Sequence, residues 1–525
     1  MLTSEYGRVP YETSGSHLFK ENALSVMVLN NIKRTIPTIL SYDFSMSVPI
    51  IGFFMTRLGF GYAGPATITL LNTVCGYLLA SVLPASFTLA DLFGQLAVKE
   101  DQQSQLSDHE SDEYKRLDNE IVNLKSQIAG VPKNAIVAGL VSIPGYIVLG
   151  FSRSVLSLLG QSKAIANASQ EFLIPYVCFF ITYMPRLVME FVLLSSKKQV
   201  ASMLIACSAL LITAGIEYAL VSHAKLGLTG LGLGAGAGLM LTFWGFSAYV
   251  AYHFNGFGFF KSFLRWSHKD LQSIWNHLKA AAPIIATILS DVSTAFVISI
   301  LAGLLPDNAV EIQNVGTQYL NWNLLITYAV SQTTALIVAE QKGKAKAGGV
   351  NYNTVQRSAL AGLIANIILQ LPFALFVTGG TKIFVELLGA NVDQTQARNL
   401  LLATVSYAFT DSIRYNLLQS LRAVEDNTMP SIISSSLLWL GVVFSYLLSN
   451  HTSLGVIGLP LGLTIGGLAG IAFLLQRMGN KLNPTALQAN QRNNAAFHPP
   501  FQPTISIEQG TNAHLLMDEN HNLIC

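Results

Sequence analysis

A few ionisable residues fall inside long apolar runs of this chain: Asp43, Arg186, Glu190, Glu217, Asp291, Asp411 and Arg414. On insertion scales a charge at mid-bilayer costs about 2.5–3.5 kcal/mol, so each needs a partner or a task. Arg186 and Glu190 stand at i, i+4, and Asp411 and Arg414 at i, i+3. Opposite charges at those spacings meet on one helix face, so both pairs can be structural. Asp291 has no basic residue within reach on its own helix. An isolated carboxylate in low dielectric, with a second carboxylate nearby, can hold a proton near neutral pH and release it when a cation arrives. That is the chemistry an antiporter needs.

The elements that must position these residues are membrane helices. Charged residues make up 11% of the chain and apolar ones 51%, whereas a soluble protein carries about 25% charged residues. A spanning helix needs about 20 mostly apolar residues. Twelve runs qualify, at 35–55, 66–90, 134–152, 171–195, 200–222, 227–254, 280–305, 314–339, 356–378, 397–420, 430–449 and 453–476. Lysine and arginine are held on the cytoplasmic side. Of the 31 present, six lie in outer segments if the N-terminus is inside: Arg57, Arg153, Lys163, Lys225, Lys382 and Arg398. Arg186 and Arg414 are within helices, and the rest are inside. Both termini are therefore expected in the cytoplasm, with no cleaved signal peptide, since residues 1–34 are polar.

The chain repeats itself. "LGLTGLGLG" from Leu226 and "LGVIGLPLG" from Leu454 open the sixth and twelfth runs, 228 residues apart. "SLLGQ" ending at Gln161 is echoed by "ELLGA" ending at Ala390, and Pro37 by Pro283. The offset changes across the polar stretch 91–133, which has only a short counterpart in the second half. Two parallel six-helix halves are expected, an arrangement in which cargo binds between lobes. The boundaries are a cytoplasmic segment 1–34, a first lobe 35–254 with a cytoplasmic insert 91–133, a linker 255–279, a second lobe 280–478, and a disordered tail 479–525. Within the insert, Leu117, Ile121, Leu124 and Ile128 form an apolar stripe. It suits a short solvated helix, or a coiled coil that docks a cytoplasmic partner at 101–128. Gly230, Gly234 and Gly238 share one face of the sixth helix, as close helix packing requires.

Several classes are excluded. The basic residues are scattered over short loops, so no nucleic acid is implied. Cys75, Cys178, Cys207 and Cys525 form no CxxC pair. There is no phosphate loop GxxxxGK[ST], no HExxH and no GxSxG. Neither an enzyme nor a cofactor is expected, and no metal beyond Na+ at Asp291 and Asp411.

The second half carries a resemblance. "AAPIIATILSDVSTAFVISIL" resembles helix 7 of the multidrug and toxic compound extrusion (MATE) family, in its bacterial NorM-like branch, where a proline precedes an acid by eight residues; here these are Pro283 and Asp291. "DSIRYNLLQSLRAVEDNTMPSIIS" resembles its helix 10, with Asp411, Leu421 and Arg422 at the matching places. "NVGTQYLNWN" resembles the start of helix 8, which implies polar cavity positions at Gln318 and Asn321. The resemblance implies an all-α fold of twelve helices in two pseudo-twofold lobes. It also implies that Asp291 and Asp411 bind the coupling ion, H+ or Na+. The first half departs from the pattern. The helix 1 acid falls at Ile51 or Gly52, and the helix 4 arginine at Leu194. Coupling is therefore expected to centre on the second lobe, with Asp43, Glu190, Glu217 and Arg414 as additional coupling or cavity candidates. Tyr319, Trp322 and Tyr328 are candidate aromatic contacts for the substrate.

The expected function is efflux of small amphipathic, cationic molecules across a bacterial inner membrane, coupled to H+ or Na+ entry. Two rivals are a lipid-linked precursor flippase, which would want a more basic cavity, and a transport-inactive scaffold using the insert.

Overall fold

The computed structural model describes residues 23–41, 51, 54–55, 58–59, 63–106, 111–138, 143–254, 268–305, 309–387 and 394–488. Among these residues every regular element is helical. In chain order they are α1 (Leu24–Ser41), α2 (Gly64–Ser104), α3 (Asp112–Ala138), α4 (Ile143–Gly150), α5 (Ser152–Leu158), α6 (Lys163–Phe180), α7 (Tyr183–Ser195) and α8 (Gln199–Tyr218). There follow α9 (Gly227–His253), α10 (His268–Gly303), α11 (Ala309–Lys346), α12 (Tyr352–Gly379), α13 (Thr381–Leu387), α14 (Gln394–Ala423), α15 (Thr428–His451) and α16 (Gly458–Lys481). Among the described residues eight helices are long and apolar enough to cross a bilayer, nine if α6 and α7, bent by 58° at their break, count as one span, against the twelve runs expected. This is an integral membrane protein.

Three expected elements differ. The first helix starts at Leu24, inside the segment read as polar, because α1 is built inside out. It buries Asn31, Thr35, Thr38 and Ser41 against the protein and exposes Val26, Leu29, Ile36 and Leu40. Lipid favours that polarity, and a simple count of apolar letters misses it. The fourth helix breaks at Ile181–Thr182, where the Thr182 hydroxyl donates to the Phe179 carbonyl at 2.8 Å. Pro185 then sits in the first turn of α7, where its missing N–H costs nothing. The third run is divided among α3, α4 and α5.

The insert is a helical hairpin. α2 is 41 residues long, about 60 Å at 1.5 Å per residue, or twice the bilayer core. α3 folds back along it, held by Lys99–Glu120 at 2.8 Å and Lys125–Glu100 at 3.1 Å. Leu117, Ile121 and Ile128 are buried, with Leu124 partly so. The apolar stripe is thus covered by the chain itself. At its base, Lys133 pairs with Asp270 at 2.8 Å, tying the hairpin to α10.

The repeated phrase has a repeated structure. Gly227 and Gly455 both take left-handed backbone, φ +57° and +52°, which glycine adopts without steric penalty. Gly230, Gly234 and Gly238 then face Leu220, Glu217 and Thr213 at the α8 end of the first half. Their counterparts Gly458, Gly462 and Gly466 face α15 in the second. α9 packs on α8 and α6, and α16 packs on α15 and α14. Between the halves, α2 packs on α10 and α11, while α1 lies among α8, α11 and α12.

Candidate functional site

α10 supplies Asp291 and α14 supplies Asp411 and Arg414, and the three side chains meet. Arg414 Nη2 and Nε donate to Asp411 Oδ1 at 2.6 and 2.9 Å. Nη2 also reaches Asp291 Oδ1 at 3.3 Å. Nη1 donates to the Ser434 hydroxyl on α15. The guanidinium side chain is 3% exposed, while Asp291 and Asp411 are 22% and 15% exposed. The arginine is therefore the most deeply buried of the three, beside two carboxylates that keep partial exposure. Asp291 is not the isolated acid its own helix suggested, since its counter-charge arrives from another helix.

Around the triad lies a polar layer that the sequence did not announce. On α12, Gln370 Nε2 donates to Asn366 Oδ1 at 2.8 Å, and Ser412 of α14 donates to the same oxygen at 2.8 Å. Asn416 of α14 and Asn31 of α1 both donate to the Thr334 hydroxyl of α11, at 3.2 and 3.3 Å. Tyr328 meets Tyr415 edge-on at 4.9 Å, and both lie within electrostatic range of the triad. Asn366 and Gln370 stand at i, i+4 in an apolar run, the one signal that would have found them. Arg422, fully buried, donates to Thr287 and Ser431 at 3.1 and 3.3 Å.

The remaining candidates scatter. Arg186 Nη2 lies 3.6 Å from Glu190 Oε2, an ion pair in the buried face of α7. Glu217 is buried against Gly234, and its Oε2 has no hydrogen-bond partner among the described residues. Tyr319 is not a cavity residue: it is fully buried and stacks on Phe373 at 5.2 Å. Gln318 is half-buried, and Asn321 and Trp322 are exposed at the same end of α11. Asp43 lies outside the described residues. A surface groove lined by Arg153, Glu171 and Thr229 belongs to the first half and contains none of the acids.

A second charged assembly closes the end of the bundle where the basic residues collect. Glu340 of α11 binds Arg34 of α1 at 2.9 Å, Lys197 at 2.8 Å and Lys344 at 2.9 Å. Asp91 of α2 binds Lys346 at 2.6 Å and Lys342 at 3.5 Å, and Lys342 binds Glu425 at 2.6 Å. The backbones touch here. A Cβ on Gly94 would lie 2.3 Å from the Glu340 carbonyl oxygen, and one on Gly343 would lie 2.0 Å from that of Asp91. Lys197 and Glu425 are 228 residues apart, the offset of the repeat. Each is left-handed, φ 66° and 70°, in the turn after its half's fourth helix. Non-glycine residues persist there only when surroundings hold them, and both are held by ion pairs to α11.

The Lys342 ammonium keeps the Glu425 carboxyl below its usual range. A depressed folded-state value means the contribution is complete above the ordinary carboxylate value and is lost as pH falls through the lower one. Glu425→Gln should therefore flatten the acid side of the thermal-stability profile, by a small amount because the side chain is mostly exposed. Melting scans from pH 7 down to about 3 test this, and identical acid limbs in both proteins would refute it.

A family model described as MatE matches residues 283–447, which include the triad. A "Probable multidrug resistance protein NorM" of Oceanobacillus iheyensis is 22% identical over 284 residues, 53% of this chain and 62% of that protein. One of the same name from Synechococcus sp. is 25% identical over 294 residues, 54% of this chain and 62% of that protein. The matches thus span less than two thirds of either relative. Among solved structures, "Crystal structure of eukaryotic MATE transporter AtDTX14" superposes with a TM-score of 0.71 at 16% identity, covering 89% of this chain and 99% of that one. An outward-facing conformation of a multidrug resistance MATE family transporter of the MOP superfamily gives 0.69 at 13% identity, covering 87% and 96%. The family model thus matches the second half, and the fold shared with MATE transporters of known structure runs across both halves.

Proposed function

We propose that this protein is a cation-coupled exporter of small amphipathic, cationic molecules, working by alternating access in a bacterial inner membrane with both termini in the cytoplasm. The lobes are 35–254, extended back to Leu24 by α1, and 280–478, extended back to His268 by α10, which takes in the second part of the stretch 255–279 expected as linker. The observation that carries the reading is an acid pair from two helices, partly exposed, sharing one buried arginine. Asp291 and Asp411 take up the coupling ion, H+ or Na+, from outside. As the ion engages the carboxylates, their hold on Arg414 weakens and the site gains positive charge. A cationic substrate bound nearby is then held less tightly, which is the differential affinity that exchange needs. Tyr328, half-buried and braced edge-on by the buried Tyr415, offers a ring face to such a cation. The charge assembly at Glu340 ties the two halves together at the inner end.

Dye efflux from everted vesicles under separate proton and sodium gradients tests this. Asp291→Asn and Asp411→Asn should each lower gradient-driven transport about tenfold or more, as loss of a coupling free energy of 1–3 kcal/mol implies. Undiminished efflux in both variants would end the acid-pair reading.

A further inference from the structure

Resting on that role for the acid pair, we propose that Arg414 sets the ion specificity of the site: its guanidinium bars Na+ and leaves the pair to an ion that needs a single carboxylate oxygen. A metal cation leaving water must replace its hydration shell with several oxygen ligands at once. The natural ligands here are the two Asp carboxylates. Oδ1 of each already accepts from Arg414, at 2.6 and 2.9 Å for Asp411 and 3.3 Å for Asp291. A guanidinium offers N–H donors and no lone pair, and it stays charged at any relevant pH. It therefore takes oxygens from a metal ion and returns none. A proton needs one oxygen, and the Oδ2 of either acid, which Arg414 does not engage, can provide it while the guanidinium stays between the pair.

The guanidinium is part of the built site. Its Nη1 is anchored to Ser434 on α15, and its Cδ lies beside Gly470 of α16. Being 3% exposed, it has no solvent into which to swing unless α14, α15 and α16 part. A purely structural i, i+3 pair would need Asp411 alone. Arg414 bridges to Asp291 on another helix, which is what places it between the two acids.

The test uses the full chain, with radiolabelled Na+ binding in detergent and dye efflux in proteoliposomes. Wild type should show no saturable Na+ binding, and a Na+ gradient should drive no more efflux than a choline gradient, while a pH gradient drives it. Arg414→Gln should gain saturable Na+ binding, Arg414→Lys should stay without it, and Ser434→Ala, which loosens the guanidinium, should gain it in part. A merely structural role would change melting without changing Na+ binding. Saturable Na+ binding by wild type overturns the proposal, as does an Arg414→Gln or Ser434→Ala protein that folds and binds no more Na+ than wild type. If wild type is Na+-driven while Asp291→Asn and Asp411→Asn are dead, the Arg414 assignment falls and the acid pair stands. If both Asn variants still transport, the acid pair itself falls.

Discussion

Glu340→Gln should destabilise the protein by about 3 kcal/mol and open its inner end. Breaking one partner out of a buried ion cluster is costly because the remaining charges are left facing each other without compensation. Glu340 is 5% exposed and holds Arg34, Lys197 and Lys344 at 2.8–2.9 Å. Glutamine fits the same space, so the loss is one of charge rather than shape. Lys344→Gln is the control. It removes a more exposed i, i+4 partner on the same helix and should cost only a few tenths of a kcal/mol. The conformational effect follows from where the partners sit. Arg34 and Lys197 belong to the first half and Glu340 to the second, so the cluster exists only while the halves meet at this end. If about 3 kcal/mol of it is specific to the closed inner end, its loss shifts the open population about a hundredfold. A cysteine placed at the buried Ser331, in a background without Cys75, Cys178, Cys207 and Cys525, should then react with an impermeant maleimide added from the inner side. Unchanged melting and unchanged labelling would show that the cluster is ornamental.

The residues that carry chemistry differed in how visible they were. Asp291 and Asp411 stand out because a carboxylate in an apolar run is rare, and the i, i+3 spacing of Arg414 gave one of its two acidic contacts. Its second contact crosses from α14 to α10, and no periodicity within a helix encodes that. The charge assembly was hidden for a different reason. Its lysines look like topology signals in short loops, and only folding shows that Lys197, Lys342 and Lys346 are each matched to an acid. α1 was misjudged at its start because its polar letters face the protein. Tyr319 and Tyr328 are equal as letters, yet one is stacked in the core and the other lies near the acids; nine residues of helix rotation separate those fates. The glycine repeat was the most legible feature, since close helix approach in lipid is written directly as small residues at four-residue spacing.

That repeat yields the second large effect, and an asymmetry that tests it. Gly462→Ala should prevent folding or lower stability by well over the about 1–3 kcal/mol typical of overpacking. A Cβ there would lie 2.1 Å from the Ser445 nitrogen and 2.4 Å from its Cα. These are backbone atoms inside a helix and cannot rotate away, so relief requires α15 and α16 to separate by about 1 Å or more along the whole contact. Gly458 and Gly466 press on backbone in the same way, at 2.7 and 2.4 Å, which locks the separation to all three at once. In lipid no hydrophobic term draws the helices back together; packing itself is the attraction. Gly234 is the equivalent position in the first half, but its nearest neighbour is the Glu217 Cγ at 2.5 Å, a side-chain atom, with the Glu217 backbone farther off at 3.1 Å. Gly234→Ala should therefore be the milder change, although the two glycines are the same letter in the same phrase. Gly479→Ala, where nothing lies within 4 Å, should be neutral or stabilise the helix by up to about 1 kcal/mol. Fluorescence-detected size exclusion and melting of the three variants should rank them Gly462 worst, Gly234 intermediate and Gly479 best. Equal losses at Gly462 and Gly234 would mean that conformational freedom, rather than contact with a neighbouring backbone, is what glycine provides in both halves.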